Sequence, residues 1–179
     1  MRDATIARNY AEALLELATR ADDLRGWGSL VQSIADAIER DPKLRVFLET
    51  PRVDGRTKAA ILRKALSDRA PAKFVRFIET LVRNRRQTLI PAIAREYFDL
   101  VDRAENRVHA TVTVAREADE KTTKLIADRL SKALDKIVVP HVTVDPRILG
   151  GAVVRIGDTV MDGSVRRRLG ALKHRMLSP

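Results

Sequence analysis

The side chains able to do chemistry are few and scattered. Three histidines, His109, His141 and His174, lie more than thirty residues apart, and none shares a helical turn with a second metal-ligating residue. They read as isolated strand or surface histidines, with no metal site. Gly150-Gly151 precedes a strand pattern and lacks the Gly-Lys-Ser/Thr ending of a phosphate loop; two such glycines permit positive φ and close backbone approach where a strand begins. Ser164 is outside any Gly-x-Ser-x-Gly elbow and reads as a helix cap. Asp145, Asp158 and Asp162 sit in Asp-Pro, Gly-Asp and Asp-Gly, which are turn dipeptides. The chain has no cysteine, so disulfides, thiol catalysis and thiolate metal sites are excluded together. The expectation is a protein without catalytic residues, cofactor or metal requirement.

Charge is the unusual bulk property. The formal net charge is +10. Residues 1–106 carry 20 basic and 16 acidic side chains, and residues 107–179 carry 14 and 8. Such a balance raises nucleic acid or an anionic membrane as a partner. Long single-sign blocks are absent, however, so most of these charges read as solvated helix faces. Two clusters stand out. Arg83, Arg85 and Arg86 close a predicted helix, where cations offset the helix dipole. Arg166, Arg167 and Arg168 are consecutive, and three in a row cannot share one helix face. Neither has the interleaved aromatics of a single-strand platform, and nucleic-acid binding is kept as the alternative reading.

The elements follow from hydrophobic period. Up to Glu105 apolar residues recur by threes and fours. Ile6, Tyr10, Ala13, Leu14 and Leu17 mark a first helix, and Leu24, Trp27, Val31, Ile34 and Ile38 a second. Asp41-Pro42 caps a short third helix with Leu44, Phe47 and Leu48. Asp54 caps a fourth, with Ile61, Leu62, Ala65 and Leu66 on its buried face. Pro71 opens a fifth bearing Phe74, Phe77, Ile78, Leu81 and Val82. Thr88 caps a sixth bearing Ile90, Ile93, Ala94, Tyr97, Phe98 and Val101, with Pro91 in its first turn. Short connections make these six an antiparallel bundle over residues 1–105. From Val108 to Val114 the period becomes two, as in a half-buried strand. Residues 118–135 return to helix, and Ile137–Val144 reads as a strand in which Pro140 argues for an edge position or a bulge. Gly157-Asp158 joins Ala152–Ile156 to Thr159–Met161 in a tight hairpin, before a last helix bearing Val165, Leu169, Leu172 and Met176. Residues 106–179 are thus a small α/β domain with a mixed sheet and two helices, and the fold class is α+β. No apolar run approaches the ~20 residues that span a bilayer, and Met1 leads directly into helix without a signal core.

The segment from Asp145 to Leu169, with its Gly-Gly, Gly-Asp and Asp-Gly-Ser-Val-Arg in order, closely resembles the C-terminal signature of the delta subunit of F-type ATP synthases. Their mitochondrial equivalent is the oligomycin-sensitivity-conferring protein. Ala7-Arg-Asn-Tyr-Ala-Glu-Ala-Leu14 is similar to the family's opening Tyr-Ala-x-Ala-Leu helix, and Trp27 stands where many members have an aromatic. The resemblance implies a non-catalytic stator connector at the cytoplasmic side of the cell inner membrane or plasma membrane, held there through the complex. It implies that the N-terminal bundle receives the N-terminal helix of an alpha subunit. It further implies that the C-terminal domain grips the C-terminal region of the b subunit, and that no small-molecule ligand is needed. The implied groove walls are helices one and five, with Tyr10, Ala13, Leu14 and Leu17 facing Phe74, Phe77, Ile78 and Leu81. Alanines at 7, 11 and 13 would let a partner backbone approach closely.

Overall fold

In the first hundred residues three aspartates set where helices begin. Asp23 accepts from the Gly26 amide at 2.8 Å, Asp41 from Lys43 and Leu44, and Asp54 from Arg56, each cap stabilising its helix by about 1 kcal/mol. The computed structural model describes residues 2–177, the side chains of Arg2, His174, Arg175 and Leu177 excepted. It divides into two compact units, one ending at Val101 and one beginning at Asp102. The chain runs α1 (Arg2–Thr19), α2 (Leu24–Arg40), α3 (Pro42–Glu49), α4 (Gly55–Leu66), α5 (Ala72–Arg83) and α6 (Ile90–Ala104), followed by β1 (Arg107–Val114), α7 (Glu120–Leu134), β2 (Ile137–Val144), β3 (Ala152–Ile156), β4 (Thr159–Asp162) and α8 (Val165–Leu177).

In the N-terminal unit one apolar core joins Leu14, Trp27, Val31, Phe74, Ile78, Leu81, Ile93 and Tyr97, each with at most 1% of its surface exposed. Trp27 meets Phe74 edge-on at 5.7 Å, the arrangement aromatic quadrupoles favour. Three expected details differ. Ile61 is 49% exposed and Ala65 is at the surface, because α4 turns Lys58 and Ala59 inward instead. The Lys58 ammonium donates to the carbonyls of Leu48 and Thr50 at 2.6 and 2.7 Å, satisfying the end of α3 where its dipole is negative. Thr88 does not cap α6; it lies inside a 3₁₀ turn, Gln87–Leu89, that runs straight into that helix. Phe98 is 39% exposed, since the buried face of α6 centres on Ile90, Ile93, Tyr97 and Val101.

The Tyr97 hydroxyl donates to the Leu24 carbonyl at 2.7 Å. Burial, with the Asp23 carboxylate adding to it, pushes its phenol up to about 12. The unfolded value is about 10, so this stabilisation is complete below pH ~10 and lost as pH rises from there through ~12. Denaturant titrations at about pH 8 and about pH 11 should therefore show a larger loss of stability for the wild type than for Tyr97→Phe. Equal losses would remove Tyr97 as the cause.

In the C-terminal unit the sheet order is β2-β1-β3-β4, with β1–β2 parallel and the other pairs antiparallel. Pro140 therefore sits on an edge strand, opposite Ala110, where its missing N–H costs no ladder bond. Ala110, Val112 and Val114 face inward and meet Ile126, Leu130 and Leu134 of α7. Gly157 takes the positive φ of +54° that the first loop position of a primed hairpin turn requires. Gly151, at φ +77°, lies so near the next turn that an added Cβ would stand 2.5 Å from the Gly163 carbonyl oxygen. Ser164 is buried, and its hydroxyl accepts from the Arg167 amide at 3.2 Å, capping α8.

Candidate functional site

Helices α1 and α5 lie side by side, and burial divides the eight residues expected to line a groove into two sets. Leu14, Phe74, Ile78 and Leu81 have no exposed surface, and Phe77 has 8%. Tyr10 and Leu17 are half-buried, and Ala13 is exposed. The face that α1 turns inward explains the division on that helix: it runs Ala7, Ala11, Leu14, Ala18, steps of four, three and four. Ala7 and Ala11 thus let neighbouring helices of the bundle approach closely. Of the three alanines, only Ala13 turns to solvent.

Tyr10 closes the seam from outside. Its ring stands edge-on to Phe77 at 6.3 Å, and its hydroxyl accepts from the Asn84 side-chain amide at 3.1 Å. On α5, Lys73 and Thr80, one turn to either side of Phe77, are exposed. The resulting surface is a ridge of Tyr10, small at Ala13 and apolar again at Leu17, backed by a packed core. Such a surface can seat one face of an amphipathic helix. Asn84 gave no signal in the sequence, because its role depends on a contact 74 residues away.

The C-terminal unit carries a second uncovered surface. The α8 stripe is solvent-facing, with Leu169 53%, Leu172 57% and Met176 78% exposed. Beside its start, Leu149 is 67% exposed and held at φ +64°, a region costly for a bulky side chain. Asp145 holds that turn, accepting from the Arg147 amide at 3.0 Å and from its guanidinium at 2.9 Å. The guanidinium hydrogen bond, followed by that amide, keeps the Asp145 carboxyl below its ordinary range. Asp162 is lowered similarly, its carboxylate accepting from the Ser164 amide at 2.9 Å. Both aspartates are turn-formers, as their dipeptides predict. The histidines differ from expectation: His109 and His141 stand 2.9 Å apart across β1 and β2, since parallel pairing brings positions 32 residues apart together. The His174 side chain lies outside the described residues.

Among the described residues no group of three or more His, Cys, Asp or Glu is placed to hold a metal ion. None of the described helices is long and apolar enough to cross a membrane.

Residues 6–176 match the family model described as ATP synthase delta (OSCP) subunit. The chain is 60% identical over 172 residues to the ATP synthase subunit delta of Gemmatimonas aurantiaca, covering 96% of this chain and 93% of that one. It is 35% identical over 178 residues to the subunit delta of Desulforamulus reducens, covering 99% and 98%. A chain in the cryo-EM structure of the Toxoplasma gondii mitochondrial ATP synthase hexamer shares the fold, with a TM-score of 0.60 at 20% identity over 97% of this chain and 98% of that one. With both units inside the family match, the chain belongs to the ATP synthase delta (OSCP) subunit family.

Proposed function

We propose that this non-catalytic subunit is the stator connector of an F-type ATP synthase, joining the peripheral stalk to the catalytic head so that the head does not turn with the rotor. The observation that carries this reading is family membership spanning both units, each of which presents its own uncovered apolar surface. In this reading residues 1–105, a six-helix bundle, receive the N-terminal helix of an alpha subunit along α1 and α5. Tyr10, Ala13 and Leu17 touch that helix together with the edge of Phe77. Leu14, Phe74, Ile78 and Leu81 hold the two walls from behind.

Residues 106–179 take the C-terminal region of the b subunit, and the exposed Leu149, Leu169, Leu172 and Met176 are the apolar groups offered to it. The protein then sits at the membrane periphery, on the cytoplasmic side of the inner or plasma membrane, with no small-molecule ligand. The alternative of a nucleic-acid binder finds no support among these relatives.

Native mass spectrometry of the full chain with an alpha N-terminal peptide and a b C-terminal fragment is the test. A ternary complex is expected. The double variant Leu169→Asp, Leu172→Asp is expected to weaken the b arm at least about tenfold, since each carboxylate would be desolvated unpaired, while the alpha arm keeps its affinity. Mutually exclusive binding of the two partners, or loss of both arms at once, would defeat the connector reading.

A further inference from the structure

On β1 and β2 the outward face carries His109, Thr111 and Thr113 beside Val139, His141 and Thr143, paired in parallel register. His109 is opposite Val139 and His141 opposite Thr111, so the two imidazoles are diagonal neighbours that reach each other along the face. Their rings are nearly parallel, 24° between planes and 5.1 Å between centroids, with His109 Nδ1 2.9 Å from His141 Nε2. Behind His109, the Asp102 carboxylate lies 3.0 Å from Nε2. A carboxylate there accepts the Nε2 hydrogen and leaves the Nδ1 lone pair free. This is the arrangement in which an outer carboxylate fixes the tautomer and ring orientation of a metal-binding histidine.

We infer that His109 and His141 form a two-nitrogen site for a tetragonal transition-metal cation, copper(II) or nickel(II), on the outer face of the C-terminal sheet. With metal–nitrogen bonds of about 2.1 Å, a separation of 2.9 Å gives a nitrogen–metal–nitrogen angle of about 90°, which suits square-planar or tetragonal ions. Zinc, which prefers a tetrahedron, would require the nitrogens to open to about 3.4 Å. The proton balance is simple. With the His109 Nε2 hydrogen on Asp102, His141 Nε2–H donates to His109 Nδ1 in the metal-free pair; on binding, that proton passes through water to His141 Nδ1, so the pair neither gains nor loses a proton. Solvent reaches the pair, since the His109 side chain is 52% exposed, and water fills the other coordination positions.

The test is a copper(II) titration of the tag-free full chain, followed by calorimetry and by electron paramagnetic resonance. One saturable site is expected, with splitting from two imidazole nitrogens. His109→Gln and His141→Gln should each weaken it at least about tenfold and reduce the splitting to one nitrogen, whereas His174→Gln leaves it unchanged. Asp102→Asn should lower affinity about tenfold with both nitrogens retained, separating positioning from ligation. The nitrogen count in the wild type decides the matter even if a variant fails to fold: a saturated spectrum with one nitrogen or none overturns the site. So does the absence of saturable binding, or unchanged affinity in both glutamine variants of the pair.

Discussion

Gly151→Val is expected to melt the C-terminal unit while the N-terminal unit stays folded. At φ +77° a β-branched residue is strained, and the left-handed region alone costs about 1–2 kcal/mol. Most of the cost is steric. The new Cβ would stand 2.5 Å from the Gly163 carbonyl oxygen and 3.3 Å from the Ser164 Cα, both main-chain atoms that no rotamer change can clear. Moving them disturbs the bonds from Gly163 N to the Ala152 carbonyl and from Val165 N to the Gly150 carbonyl, each 3.0 Å and each worth about 1 kcal/mol net. The sum, about 3–4 kcal/mol, is a large share of what holds a small unit together. Gly157→Asn provides the contrast: its φ is also positive, but nothing lies within 4 Å of the added atom, and asparagine tolerates this region at a cost below about 1 kcal/mol. Urea titrations followed by amide NMR read each unit separately. A fall of similar size for the two variants would show that strain alone, without the clash, accounts for Gly151.

The sequence carried the elements whose signals are local. The Asp41-Pro42 and Asp54 caps, the change of period after Glu105 and the Gly157 hairpin depend on neighbours a few residues away, and each is found as expected; of the edge or bulge that Pro140 allowed, the sheet order gives the edge. Rotations of helix faces were less legible. On α1 the expected stripe Ile6, Tyr10, Ala13, Leu14 and Leu17 shares only Leu14 with the fully buried face and otherwise lies about one position round from it, because alanines at 7, 11 and 18 fill the inside and carry little hydrophobic signal of their own. On α4 Leu62 and Leu66 pack on the core as expected, but Ile61 and Ala65 face out and Lys58 turns in, a role that depends on the end of a different helix. Pairings across the chain were not legible at all. Tyr10 with Asn84 and His109 with His141 exist only once the helices and parallel strands are assembled. The Asp145–Leu169 signature carried family and function, and the candidate surfaces required coordinates to separate core from contact.

That separation decides how the proposed alpha-subunit contact should be tested. Leu14→Asp would put a carboxylate into a core with no exposed surface, so its loss of binding would report unfolding. Ala13→Glu is the informative change. Ala13 is exposed, glutamate is a good helix former, and stability should stay within about 0.5 kcal/mol of wild type. Beneath a docked helix the same carboxylate would be desolvated without a partner, costing about 3 kcal/mol, or about a hundredfold in affinity. Full-chain protein titrated into a labelled alpha N-terminal peptide, read by anisotropy, should show that drop. Salt supplies the independent check. A helix seated on Tyr10, Ala13 and Leu17 is held by buried hydrocarbon at about 25 cal/mol per Å², and screening reaches only charges at its rim, such as Lys73. Wild-type affinity should therefore change little between ~50 and ~200 mM salt, where a contact made through several phosphates would lose orders of magnitude. An affinity that collapses over that range, or an Ala13→Glu variant that binds like wild type, places the alpha contact elsewhere than on α1 and α5.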